Sequence, residues 1–147
     1  MKEKKADMHD TFQLLKVCTR DKHISKTFLG VFAGDRFPKQ RLVPCWFIIN
    51  TDKSGKPGQH WIAIYEKSST DPSQNTFFDS YGSAPSELNP LWTRFDSYKR
   101  SNKDYQQKHS TVCGDYCIYV LKLLNAGKTL QNVLTCFDPQ DKLRVQR

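Results

Sequence analysis

A histidine, an aspartate and a cysteine follow one another in an order that suits nucleophilic catalysis by a thiol. His60 precedes Trp61, Asp79 lies within Phe77-Phe78-Asp79-Ser80-Tyr81-Gly82, and Cys113 precedes Gly114. A free thiol is mostly protonated at neutral pH, so a cysteine nucleophile needs a base beside it and a group that holds that base in the working tautomer. His60 fits the base and Asp79 its holder. Upstream of Cys113, Gln106 or Gln107 offers a side-chain amide that can donate to a developing oxyanion together with the Cys113 backbone N–H. Gly114 lets the backbone pass close to a substrate. Taken singly, each residue has a structural reading: His60 as a satisfied histidine, Asp79 as a turn cap, Cys113 as a buried core thiol. The chemistry is carried by the ordered set.

Three segments must bring these residues together. Residues 60–66 (HWIAIYE) and 75–79 (NTFFD) read as strands rich in aromatic and β-branched side chains. If they pair antiparallel, their turn centres near residue 70, and His60 falls roughly opposite residues 79–81. Cross-strand Cβ atoms sit about 4.5–5.5 Å apart, close enough for an imidazole–carboxylate hydrogen bond. Residues 113–125 (CGDYCIYVLKLLN) form the clearest helix, with apolar positions at 113, 116, 117, 120, 121 and 124, and Gly127 as its stop. Cys113 then stands at the helix N-terminus, where the dipole and unpaired N–H groups favour a thiolate.

Elsewhere, residues 43–50 (VPCWFIIN) read as a buried strand and residues 11–18 as a short helix, with Phe12, Leu15, Leu14 and Cys18 turned inward. Residues 51–59, 67–74 and 83–90 read as loops or turns. Residues 91–100 carry Leu91, Trp92, Phe95 and Tyr98 at helical spacing. The order of helix, strands and helix gives an α+β fold. Residues 1–10 are expected to be a flexible N-terminus, and residues 11–147 a single domain with a short C-terminal part.

The chain has 147 residues, the size of one domain, and a hydrophobic share of 37%, which argues against disorder throughout. Its five cysteines are odd in number and form no CxxC pair, the N-terminus has no apolar signal-like run, and nothing approaches the roughly 20 apolar residues of a membrane span. An intracellular, thiol-reduced monomer without membrane contact is expected. A formal charge of +8 favours polyanions, including non-specific DNA. His109, Cys113 and Cys117 fall at steps of four, but at most two of them share a helical face, so no metal site is expected.

At these motifs the chain resembles the adenovirus-type processing proteases (the adenain family), and more distantly the Ulp-type proteases of ubiquitin-like proteins. Phe28-Leu29-Gly30 with Asp35-Arg36-Phe37-Pro38, Gly58-Gln59-His60-Trp61, the Phe77–Gly82 segment and Gln106 through Cys113-Gly114-Asp115-Tyr116-Cys117 match in order, over roughly residues 11–125. The resemblance implies a papain-like cysteine protease with circularly rearranged element order, in which a small mixed or antiparallel sheet packs on helices. The nucleophile would sit at the N-terminus of the central helix. It also implies His60 as general base, Asp79 as third triad member, Cys113 as nucleophile and Gln106 in the oxyanion hole; the shorter Ulp-type gap selects Gln107. Trp61 would roof a narrow substrate channel beside Gly114. The implied task is cleavage of viral or transposon-type capsid precursors at small, glycine-containing sites, in a host nucleus or virion, with DNA as activator.

Viral members usually carry Glu where this chain has Asp79; the Ulp-type branch carries Asp. Residues 80–112 contain no cysteine, so the residue that would hold the viral enzyme's disulfide-linked peptide cofactor is missing. Residues 126–147 are fewer than the family's helical C-terminal region. Two further readings stand beside the endopeptidase: a deconjugase of ubiquitin-like proteins, and a catalytically inactive basic module that binds nucleic acid.

Overall fold

The sheet is built around β2 (Cys45–Asn50) and β3 (Trp61–Glu66), and every β2 residue and all of β3 except Tyr65 are buried. Such near-continuous apolar runs belong to strands covered on both faces. The computed structural model describes residues 16, 18, 20, 22, 25–51, 60–101 and 113–135. Among these, β1 (Phe28–Phe32), β2, β3 and β4 (Thr76–Phe78) form one four-stranded sheet in the order β1-β2-β3-β4. β1 runs parallel to β2, and the other two pairings are antiparallel. With helices α1 (Pro85–Leu88), α2 (Cys113–Asn125) and α3 (Leu130–Thr135), this is a small mixed α+β fold.

Strand alternation separates two cores. Trp46, Ile48, Trp61, Ala63 and Phe78 face one side and pack with Tyr116, Cys117, Val120, Leu121 and Leu124 of α2. Cys18, which lies in helical conformation and is fully buried, joins this core, as do Leu130 and Val133 of α3. Phe47, Ile49, Ile62, Ile64 and Phe77 face the other side and pack with Phe37, Trp92 and Phe95. Among the described residues, no helix is long and apolar enough to cross a membrane.

The β3–β4 hairpin sets the register on which the site depends. Asn75 is buried; its Oδ1 accepts from the N–H groups of Lys67 (2.7 Å) and Ser68 (3.0 Å), and its Nδ2 donates to the Ser68 carbonyl (2.9 Å). Asn75 thus ties the strand ends together across the connection. Pairing then runs Tyr65–Thr76, Ile64–Phe77 and Ala63–Phe78. Continued past the last pair, that register sets Ile62 opposite Asp79 and His60 opposite Tyr81.

Several expectations need correction. The strand expected over 43–50 starts at Cys45, after Pro44, which has no N–H to give a ladder. No element was expected at Phe28–Phe32, yet it is β1. Its pairing with β2 is irregular between Phe28 and Val31, where Gly30 has φ 141° and a Cβ would meet the Phe32 ring at 2.9 Å. The helical spacing of 91–100 is met by a 3-10 helix, Pro90–Phe95, followed by turns. Trp92, Phe95 and Tyr98 are three apart, the repeat of a 3-10 turn, and the Trp92 indole N–H donates to the Gly34 carbonyl at 2.8 Å. The loop expected at 83–90 contains α1, which begins on Pro85 at a position where a missing N–H costs nothing. Phe12, Leu14 and Leu15 lie outside the described residues.

Candidate active site

His60 immediately precedes β3 and is held at both ends. Its carbonyl accepts from the Thr51 N–H at 3.0 Å, and its Nε2 is hydrogen-bonded to Oδ1 of Asp79. Both side chains are buried, with Asp79 only 1% exposed. Both residues lie just beyond the last β3–β4 pair, so the sheet itself brings them to one end.

Asp79 is also the core of a turn. Its Oδ1 accepts from the Tyr81 N–H (3.1 Å), its Oδ2 from the Ser83 N–H (3.0 Å), and its backbone carbonyl from the Gly82 N–H (2.8 Å). Gly82 has φ 79°, the left-handed conformation that glycine adopts without a Cβ penalty. Burial pushes the Asp79 carboxyl upward, but His60 and the two backbone donors outweigh it and hold the group below its ordinary value. Asp79 is therefore a carboxylate at neutral pH. The proton it shares with His60 then sits on Nε2, and a neutral imidazole carries its lone pair on Nδ1.

The Tyr81 ring lies against the imidazole, with centroids 4.7 Å apart and planes inclined by 39°. Tyr81 was quoted in a motif but given no role. Its position opposite His60 in the continued hairpin register is the signal that points to this contact. Trp61 is 5% exposed and sits in the helix-side core, so little of it reaches solvent.

Cys113 is the first residue of α2 and Gly114 the second. The helix lies against β3 through Tyr116, Cys117 and Val120, on the side that carries Trp61 and Ala63. As the first residue of α2, Cys113 stands at the positive end of the helix dipole. Cys117, one turn later, is fully buried, with Sγ 3.3 Å from the Trp61 carbonyl oxygen. Gln106 and Gln107 lie outside the described residues.

A second polar cluster occupies the far end of β3. Glu66 accepts from Arg41 Nε at 2.6 Å and Nη2 at 2.7 Å, and also from the Tyr98 hydroxyl. Burial raises the Glu66 carboxyl, yet Arg41 and Tyr98 hold it below its usual value. Cys45 Sγ lies 3.6 Å from Glu66, and burial, followed by that carboxylate, pushes its thiol up to about 12. Such a thiol is inert, in contrast to a cysteine at a helix N-terminus.

Comparison with known proteins adds three findings. No family model matches the chain. Over 100 residues the chain is 28% identical to "Putative thiol protease R355" of Acanthamoeba polyphaga mimivirus, a match covering 60% of this chain and 32% of that protein. Its fold is similar to the crystal structure of the ASFV pS273R protease, with a TM-score of 0.61 at 15% identity, over 96% of this chain and 66% of that one. The chain thus spans about a third of the curated relative it matches and under two-thirds of the solved structure. The sequence relative is named for thiol chemistry, and the solved structure shows a likeness in fold alone.

Proposed function

We propose that this protein is a cysteine endopeptidase in which Cys113 is the nucleophile, His60 the general base and Asp79 the residue that orients the imidazole. The observation that carries this reading is the buried His60–Asp79 hydrogen bond at the end of the strand against which the Cys113 helix packs. In the reaction, Nδ1 of His60 takes the thiol proton and the Cys113 thiolate attacks the scissile carbonyl carbon. The imidazolium gives its proton to the departing amine as the C–N bond breaks. Water, deprotonated by His60, then hydrolyses the thioester and releases the acid and the free thiol. Gln106, or Gln107 in its place, and the Cys113 N–H receive the oxyanion in both steps. Gly114 and the small exposed part of Trp61 border the substrate. The architecture is read as papain-like with a circularly rearranged element order.

Protein substrates cleaved after small, glycine-containing segments follow from the same reading, with capsid precursors of a virus or transposon as the substrate class. The positive charge suits DNA as an activator. A fluorogenic Gly-Gly peptide tests the reading: wild type cleaves it, and Cys113→Ala and His60→Ala do not. Undiminished cleavage by Cys113→Ala would contradict it. A second reading, deconjugation of ubiquitin-like proteins, is favoured by Asp79 standing where the viral branch has Glu. A ubiquitin-like protein bearing a C-terminal electrophile labels Cys113 under that reading only.

A further inference from the structure

Cys117 takes no part in the chemistry proposed above, yet it joins the two elements that carry it. Its Sγ lies 3.3 Å from the carbonyl oxygen of Trp61, the residue after His60, and it stands one helical turn after Cys113. The backbone explains why that carbonyl is within reach. Thr51 N–H donates to the His60 carbonyl, which therefore faces β2. By strand alternation the Trp61 carbonyl faces the opposite way. On that side the regular β3–β4 pairing has ended at Ala63–Phe78. The Cys117 thiol thus meets the strand just past the end of the ladder.

We propose that Cys117 is a positioning residue, whose S–H···O=C bond to Trp61 fixes the first turn of α2 against the strand that presents His60. The inference rests on the cysteine-protease reading. A helix rises about 6 Å over four residues and moves as a rigid rod over so short a span. A shift at Cys117 is therefore passed to Cys113, and displacement of about 1 Å in a reacting pair can cost about 10²-fold in rate. The rival explanation is packing alone, since a buried cysteine often acts as a small hydrophobe. The two make opposite predictions for substitutions at this position.

The experiment compares wild type, Cys117→Ser, Cys117→Val and Cys117→Ala on a fluorogenic Gly-Gly peptide, with kcat and KM separated. Iodoacetamide alkylation of Cys113 is followed against pH on the same preparations, whose folding is checked by thermal unfolding. Serine keeps a donor and valine nearly keeps the volume. Positioning predicts that Cys117→Val lowers kcat about 10–100-fold with KM unchanged. It also predicts that this variant moves the Cys113 alkylation midpoint to higher pH, while Cys117→Ser stays within a few-fold of wild type. If Cys117→Val does not fold, Cys117→Ala supplies the same contrast with serine. Full activity in the folded valine or alanine variant, or a serine variant worse than either, overturns the positioning role and leaves the protease reading standing. A wild type that neither cleaves the peptide nor reacts at Cys113 overturns the protease reading and the positioning role with it.

Discussion

Asp79→Asn is the most informative single substitution, because it keeps the shape of the side chain and removes only its charge and one acceptor. In the native protein Oδ1 receives His60 Nε2 and the Tyr81 N–H, and Oδ2 receives the Ser83 N–H. An asparagine has one oxygen for these two positions. Its amide group either confronts the Ser83 N–H or turns to confront Tyr81 and His60. In the second arrangement the imidazole responds by moving its proton to Nδ1, which removes the lone pair needed to take the Cys113 proton. Loss of a charge-assisted hydrogen bond in a site this buried costs about 2 kcal/mol of stability. For a domain of this length that lowers the melting temperature by roughly 6–8 °C. A wrong tautomer lowers kcat by up to about 10⁴-fold in the serine-protease case, and a fall of at least about 10²-fold is expected here, with KM nearly unchanged.

The sign of the pH dependence follows from the depressed carboxyl of Asp79. Its contribution is fully present above the ordinary carboxylate value of about 3.9 and is lost as pH falls through the lower folded value. This contribution, which Asp79→Asn lacks, is therefore present at neutrality and is lost below about pH 4. Thermal unfolding across pH 2–8 and steady-state kinetics at pH 7 make the two measurements. Wild-type kcat in Asp79→Asn, or a stability gap from wild type that persists undiminished at pH 2, would refute the reasoning.

Three further outcomes are expected. Glu66→Ala takes from Arg41 its carboxylate partner, leaving the Pro38 carbonyl, and destabilises the protein by about 3 kcal/mol. Since Glu66 is at the opposite end of β3 from His60, about 20 Å away, kcat per folded molecule should not change. Asn75→Ala removes the three hydrogen bonds that close the β3–β4 connection. It should cost about 2 kcal/mol in denaturant unfolding, and it should reduce activity more than Glu66→Ala does because the hairpin register sets the His60–Asp79 pair. Cys45, with its thiol pushed up to about 12, should remain unmodified by iodoacetamide in native protein at pH 8 and react only on unfolding, as peptide mapping would show.

The parts legible from sequence were those with local signals. The apolar runs of β2 and β3, the turn near residue 70 and the periodicity of α2 are each contained in a few adjacent residues. From them alone the meeting of His60 with residues 79–81 follows as geometry. β1 was not legible because its partner is a parallel strand with no hairpin between them, and because Gly30 and an irregular register interrupt its pattern. The segment around Trp92 misled because a spacing of three fits a 3-10 turn as well as one face of an α-helix. Asn75 and Glu66 read as turn and strand-end polar residues. Only the folded chain gives them their partners, Lys67 and Ser68 across the hairpin connection and Arg41 and Tyr98 across the second core.

The central claim is that a base held by Asp79 activates the thiol of Cys113. The pH profile of Cys113 alkylation by iodoacetamide, measured in wild type and His60→Ala, tests it most directly. The account predicts rapid alkylation of wild type well below the ordinary thiol pKa of about 8.5, and a midpoint that moves up toward that value when His60 is removed. A wild-type midpoint near 8.5, or one that His60→Ala leaves in place, would contradict it.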